Sequence, residues 1–301
     1  IRDRVLTSGE LLAWFESCDP KNIEYKMLAV TLSEFGDIDL NSSFFDTLRE
    51  DYEGIVFDNW FKKKARNKEK AYILKQGENI PALVDLGVFS KELTIVKRKY
   101  DKFKQINRFL EIIRDCEDKL PKESIRICDL CCGKSYLSFA AYHYFTEVLH
   151  RDVRMTGVDL KPDVVAYCNE VAKKLGFDGL EFLHGDVNKY ECDEHVHLVI
   201  SLHACDIATD IVLAKGIDSK SRVIMSTPCC HHEMMGQLKA KGEVTDVLMK
   251  YSILKQKFAD SLTDALRCKV LEINGYEVNA LELIDPEETP KNVLIRAVKK
   301  D

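Results

Sequence analysis

At 301 residues, 46% hydrophobic and 31% charged, the chain can bury one large α/β domain and a smaller one, which excludes a wholly disordered polymer. No apolar run approaches the ~18 residues that cross a bilayer and nothing at the start reads as a signal peptide, so no membrane partner is expected. The net charge of −6 conceals a segregation: residues 1–60 carry −8, residues 61–110 carry +9 and the remainder carries −7, and a basic segment inside an acidic chain points to a local anionic partner.

Thr7 to Glu10 matches a capping box and opens a short amphipathic helix through Leu11, Leu12, Trp14 and Phe15. Ile23 to Leu32 is apolar and β-branched. A helical pattern then runs from Phe44 into the lysines that follow Phe61. Lys62, Lys63, Lys64 and Arg66, extended by Lys68, Lys70 and Lys75 with Tyr72 interleaved, alternate basic and aromatic character as nucleic-acid-binding surfaces do, and are the expected substrate contacts. A solvated helix end is the bland alternative for the same run. Residues 80–99 read as a linker or small hairpin bounded by Pro81 and Gly87. Tyr100, Phe103, Ile106, Leu110 and Ile113 recur at helical spacing. A domain boundary is expected near residue 97, with a smaller N-terminal α+β accessory domain over 1–96 and the main domain over 97–301.

Beyond that boundary, strands are expected at Ile125–Leu130, Val153–Val158, Leu180–His184, His197–Leu202 and Arg222–Ser226, with helices between the first four, the pattern of a parallel doubly wound sheet. After a helix over Tyr251–Cys268, the strands Tyr276–Ile284 and Asn292–Val298 are joined by a link too short for a crossover helix, so they pair antiparallel. Eleven cysteines, including the adjacent pairs Cys131-Cys132 and Cys229-Cys230, read as reduced thiols of a cytoplasmic protein rather than a secreted disulfide frame. Ile1 is not an initiator Met, which leaves the true N-terminus open. No obligate protein partner is evident.

The chemistry collects at strand ends. Ile125 to Phe139 runs from a β-type stretch through an acid and a small-residue turn into an aromatic-rich helix, the form of a first βα unit that holds a nucleotide, although Gly133 is the sole glycine where a dinucleotide loop needs three. Asp159 ends the second strand, where an acid accepts both ribose hydroxyls of a nucleoside. Gly185-Asp186-Val187 closes the third. Ser201 to Asp210 follows the fourth and Ser226 to Glu233 the fifth, so His203, Asp206, His231 and His232 are expected to converge and to supply general-base capacity near neutral pH.

Together, Asp129-Leu-Cys-Cys-Gly-Lys-Ser-Tyr-Leu-Ser-Phe139, Gly157-Val-Asp-Leu-Lys161, Ser201-Leu-His-Ala-Cys-Asp-Ile-Ala-Thr-Asp210, Pro228-Cys-Cys-His-His-Glu233 and Thr289-Pro-Lys-Asn-Val-Leu-Ile-Arg296 resemble a bacterial family of class I S-adenosylmethionine-dependent methyltransferases. Related domains occur in eukaryotic methyltransferase-like proteins and in the glutathione S-transferase C-terminal domain-containing protein. More distantly, the fourth- and fifth-strand motifs resemble those of tRNA 2′-O-methyltransferases. The resemblance implies a Rossmann-like seven-stranded sheet with a terminal antiparallel hairpin, and S-adenosyl-L-methionine as cofactor. Asp129, Cys131, Cys132, Gly133, Lys134, Tyr136, Asp159, Leu160, Lys161, Asp186, Val187, Ser201, Leu202 and His203 are expected to hold that cofactor. His203, Asp206, Cys229 and His231 are expected at the acceptor.

RNA, with tRNA favoured, is the expected acceptor because the basic span 61–110 abuts the catalytic domain; a protein or small-molecule acceptor at the same site is the alternative. Cys229 also fits a nucleophile adding to a pyrimidine ring, although the fourth strand lacks the Pro-Cys such enzymes place there. No metal site is expected: Cys128 and Cys131 form the sole CxxC and fall on opposite faces of a strand.

Overall fold

The chain divides into two units, residues 1–71 and 72–301. The computed structural model describes residues 72–192, 195–202, 204–229, 231–239, 249–283 and 292–300. The expected N-terminal elements, with Lys62, Lys63, Lys64 and Arg66, lie outside the described residues, as do His203 and Cys230.

Helix α1 (Pro81–Asp85) opens with Pro81, whose missing N–H costs nothing in a first turn. A single antiparallel bridge, Phe89 to Ile95, follows. A 3₁₀ turn at Lys97–Lys99 leads into α2 (Tyr100–Arg114). That helix buries Phe103, Ile106, Phe109, Leu110 and Ile113 along one stripe. Its buried Asn107 accepts the Leu74 backbone N–H at 2.8 Å. Leu74, Ile80, Leu83, Val88 and Phe89 share one core with α2 and the sheet. Residues 72–96, expected to precede the domain, are thus part of its packing.

From there the alternation follows the sequence: β1 (Ser124–Leu130), α3 (Tyr136–His143), β2 (Asp152–Asp159), α4 (Pro162–Lys174), β3 (Leu180–His184), β4 (Leu198–Ser201), α5 (Ile207–Asp218), β5 (Val223–Ser226), a short α6 (His232–Gln237), α7 (Ser252–Ile273), β6 (Tyr276–Glu282) and β7 (Val293–Lys299). The strands form one seven-stranded sheet ordered β3-β2-β1-β4-β5-β7-β6. Strands β1 to β5 pair in parallel, while β7 runs antiparallel to both β5 and β6 and is the one reversed strand of the seven. The terminal hairpin and the Rossmann-like sheet are therefore as expected.

One expectation fails. A helix was expected between the third and fourth strands, yet the described residues of 185–197 contain only turns. The Asp186 carboxylate caps this turn by accepting the Asn188 N–H at 2.9 Å, and Val187 and Val196 are buried where a helix would have packed. Both valines join the core under α5 and α7.

Side chains alternate across the sheet with the period of two that strand geometry imposes. Ile125, Ile127, Leu198, Ile200, Val223 and Met225 face the core of α1 to α4. Cys128, Leu130, Val199, Ile224, Ile295 and Ala297 face the core under α5 and α7. The result is a three-layer sandwich with strand ends at one edge. Among the described residues no helix is long and apolar enough to cross a membrane.

Tyr276 anchors the terminal hairpin: its ring is 1% exposed, and its hydroxyl donates to the Ser221 carbonyl at 2.9 Å. Tyr276→Phe leaves that buried acceptor short of a partner and is expected to cost about 1–2 kcal/mol, seen as a lower urea midpoint with unchanged slope.

Candidate active site

Three residues of the loop after β1 take left-handed backbone: Cys131 at φ 62°, Gly133 at φ 54° and Ser135 at φ 56°. The conformation costs on the order of 1 kcal/mol for each non-glycine residue, so neighbours must hold it. They do so from β2. The Gly133 N–H donates to Asp159 Oδ2 at 2.8 Å and the Cys132 N–H to the Val158 carbonyl at 3.1 Å. The other oxygen of Asp159 accepts the Lys161 N–H at 3.0 Å. Gly157 makes the approach of the two strand ends possible, since a Cβ there would fall 2.4 Å from the Phe182 ring and 3.1 Å from Cys132 Sγ.

Around this loop the expected cofactor residues gather. Asp129 ends β1, Asp159 ends β2 and Asp186 follows β3. Burial pushes the Cys131 thiol up to about 12, with Asp129, Asp159, Cys205 and Asp186 adding to the rise. Asp129 is 1% exposed; the Ser138 hydroxyl donates to its Oδ2 while its Oδ1 has no partner. Burial raises this carboxyl to about 7, with Ser138 opposing the rise and Asp159 adding to it. Ser201 Oγ at the end of β4 and Ser226 Oγ at the end of β5 are likewise buried without partners. A row of unpaired buried polar atoms at the carboxyl ends of three neighbouring strands fits a polar ligand there.

The remaining expected cofactor residues are less enclosed. Lys134, Leu160 and Lys161 are exposed, Val187 and Leu202 are buried, and Tyr136 is half-buried at the start of α3. Tyr136 has a partner that sequence did not supply. Lys99 Nζ donates to its hydroxyl at 2.9 Å and sits 5.0 Å from its ring centroid.

The loops after β4 and β5 are laced together. The Thr227 N–H donates to the Ser201 carbonyl at 3.0 Å and its hydroxyl to the Leu202 carbonyl. Cys205 Sγ and Cys229 Sγ lie 2.9 Å apart. Asp206, at φ 52° and ψ −119°, is held by Arg267, whose Nη2 donates to its carbonyl at 2.9 Å. Arg267 also donates from Nε to Asp210 at 2.7 Å and from Nη1 to Asp264 at 3.1 Å.

His231 belongs to this cluster rather than to an open acceptor face. It is 3% exposed, with Nε2 2.9 Å from Asp264 Oδ1. Its Nδ1 lies 3.1 Å from Asp260 Oδ1, off the line of a hydrogen bond. The neighbouring His232 is exposed. The imidazole expected to act as a base thus clamps the β5 loop to α7. Asp206 and Asp210, with Glu233, Met234, Leu266 and Arg267, line a cleft of about 380 Å³ between α5, α6 and α7. Arg267, Asp264 and Ser226 are the site residues that motif reading missed; the only sequence signal was the spacing of Asp260, Asp264 and Arg267 along one helix face.

Two outcomes follow from the buried charges. Asp129, with a carboxyl near 7 when folded and about 3.9 when unfolded, contributes stability that is complete below pH about 4 and lost as pH rises to about 7. Asp129→Asn lacks this loss, so its stability relative to the parent should climb over that window by at most about 4 kcal/mol in paired urea melts; a flat difference refutes the reading. Arg267→Met leaves the largely buried Asp264 without its guanidinium partner and should cost about 3–5 kcal/mol in the same assay.

Comparison with known proteins agrees with this geometry. Residues 101–237 match a protein-family model described as a methyltransferase domain. The glutathione S-transferase C-terminal domain-containing protein of Homo sapiens is 20% identical over 224 residues, covering 67% of this chain and 34% of that protein. Its Mus musculus counterpart is 22% identical over 200 residues, covering 59% and 30%. The chain spans about a third of the length of these curated relatives. Solved structures with a similar course include an S-adenosylmethionine-dependent methyltransferase from Aquifex aeolicus, 13% identical with a TM-score of 0.40 over 73% of this chain and 97% of that one. Magnesium protoporphyrin IX methyltransferase from Synechocystis PCC 6803 with bound cofactor is 12% identical with a TM-score of 0.42, covering 75% and 100%. S-adenosyl-L-methionine carries an electrophilic methyl on a sulfonium, and Asp159, which keeps lone pairs beyond its two backbone donors, would suit the ribose diol of such a group. The family match makes residues 101–237 similar to a methyltransferase domain, and the strand order is that of a Rossmann-like sheet with a terminal antiparallel hairpin.

Proposed function

We propose that this methyltransferase acts on RNA, with tRNA the favoured class. The observation that carries the reading is the basic turn at Lys97–Lys99. Lys97 and Arg98 are exposed there, and Lys99 reaches the Tyr136 hydroxyl at the edge of the cofactor loop. Lys102 and Lys104 follow on the first turns of α2, and the Lys102 amine is lowered chiefly by burial and further by its neighbour Lys99, as closely grouped cations require. A phosphate backbone laid along this turn would run beside the strand ends that hold the cofactor. The tRNA preference rests on the likeness of the fourth- and fifth-strand motifs to tRNA methyltransferases. Lys62, Lys63, Lys64 and Arg66 extend the same basic span in sequence.

Within the site, the protein's work is to align acceptor and methyl group, which is worth more than any single proton transfer in an in-line displacement. Cys229, Asp206 and His203 are the proposed acceptor-side groups, and His231 holds their loop. The eleven cysteines support placement in the reducing cytoplasm.

A protein or small-molecule acceptor is the second reading. The cleft beside Asp206, at about 380 Å³, has the size of a small-ligand site, and its carboxylates Asp206, Asp210 and Glu233 suit a cationic acceptor while repelling phosphate.

Labelled S-adenosylmethionine offered to fractionated RNA, protein and small molecules separates the two. Lys97→Glu with Arg98→Glu should weaken RNA binding and reduce the salt slope of log K by about 1–2. RNA binding that ignores both salt and these substitutions removes the RNA reading.

A further inference from the structure

The described cysteines fall into two groups. Burial pushes the thiols of Cys116 and Cys131 up to about 12 and raises those of Cys132, Cys168 and Cys268, with neighbouring carboxylates adding to the rise in Cys131, Cys132 and Cys268. A thiol held protonated is a poor nucleophile. Cys128, fully buried, is raised as well, chiefly by Cys192, whose sulfur lies 3.9 Å away. Cys205 differs in being exposed on the loop after β4, and Cys229, half-buried on the loop after β5, faces it across 2.9 Å. That separation is closer than two sulfurs in ordinary contact and about 1 Å longer than a disulfide bond.

We propose that Cys205 and Cys229 form an oxidation site at which a hydroperoxide converts the two thiols into a disulfide that locks the β4 and β5 loops across the acceptor side. The first step is attack of the exposed Cys205 sulfur on the distal peroxide oxygen: an S–O bond forms, the O–O bond breaks, and the leaving alkoxide or hydroxide takes a proton to depart as alcohol or water. Cys229 sulfur then attacks the resulting sulfenic sulfur. The S–S bond forms, the S–O bond breaks, and hydroxide leaves with the second thiol proton as water. Two thiols lose two electrons and the peroxide gains them. The adjacent second thiol intercepts the sulfenic acid before further oxidation, which makes the change reversible by a dithiol.

The loops are suited to such a link. The Thr227 N–H already donates to the Ser201 carbonyl at 3.0 Å, and Cys229 Sγ donates to the Ala204 carbonyl at 3.8 Å. Asp206, one residue past Cys205, is fixed by Arg267 at 2.9 Å, so the bond draws together segments anchored at both ends. A displacement of the acceptor loop by about 1 Å is enough to cost a methyl transfer dearly.

The test treats the full reduced chain with one equivalent of hydrogen peroxide, alkylates the remaining thiols and maps the peptides by mass spectrometry. The expected product is a Cys205–Cys229 crosslink that dithiothreitol removes. Cys229→Ser should leave a sulfenic acid on Cys205 that dimedone traps, and Cys205→Ser should suppress peroxide consumption. A crosslink that maps to other cysteines, or equal oxidation of all thiols, overturns the proposal, and melting of each variant shows whether it has folded. The closing role rests on the methyltransferase reading and is read separately. Label transfer by the reduced protein should fall on the order of ten-fold or more after crosslinking and return with dithiothreitol. Unchanged transfer by fully crosslinked protein rejects the closing role, whereas absence of transfer in the reduced protein counts against the acceptor reading and leaves the crosslink result standing.

Discussion

The Asp159 carboxylate is the joint on which the cofactor edge depends. One oxygen holds the Gly133 N–H of the β1 loop and the other holds the Lys161 N–H of its own strand end. Without that pair, a loop with left-handed backbone at residues 131, 133 and 135 has little to oppose relaxation into commoner conformations. Its position is fixed by two backbone donors, so a hydroxyl donor that met its remaining lone pairs would find an acceptor already ordered.

A second joint lies on helix α7. Two loops, after β4 and after β5, must stand in fixed relation although each is irregular, and Asp206 is held in a conformation non-glycine residues avoid. Helix α7 supplies the fixing groups from a single face. Arg267 takes the Asp206 carbonyl and Asp210 from the first loop and helix α5, and Asp264 takes His231 from the second. The pairs to Asp264 are buried; such pairs add little net stability over apolar packing, but removing one partner is costly, so they enforce a geometry. They also partition the surface. Carboxylates line the cleft on the α7 side, while the Lys99 amine stands by Tyr136 at the start of α3.

Much of this was legible in the chain. β-branched runs ending in an acid or glycine mark β1, β2 and β3, and the short link before Asn292 forces the antiparallel hairpin. Legibility stopped where a contact spans the sequence. Turns stand between β3 and β4 where a helix was expected, and their Val187 and Val196 reach a core assembled from distant strands, which no local periodicity shows. His231 looked like a base because nothing in Pro228 to Glu233 reveals that Asp264, 33 residues on, closes over it. Leu74 and Phe89 carry no periodicity strong enough to show that they share a core with Phe103, and Lys99 gives no sign of its partner 37 residues away. Local pattern reports what one element needs, whereas pairing of buried polar groups depends on where the others arrive.

The carboxylates at the ends of β1 and β2 illustrate how environment divides the labour between like groups. Asp129 is enclosed, receives one hydroxyl donor and stays largely protonated up to pH about 7. Its partnerless Oδ1 then offers a donor where an ionised carboxylate offers only acceptors. Asp159 is half-exposed and meets two backbone N–H groups, an arrangement that suits accepting from hydroxyls. A cation brought to this edge favours the ionised form of Asp129, so its arrival and the loss of a proton are coupled.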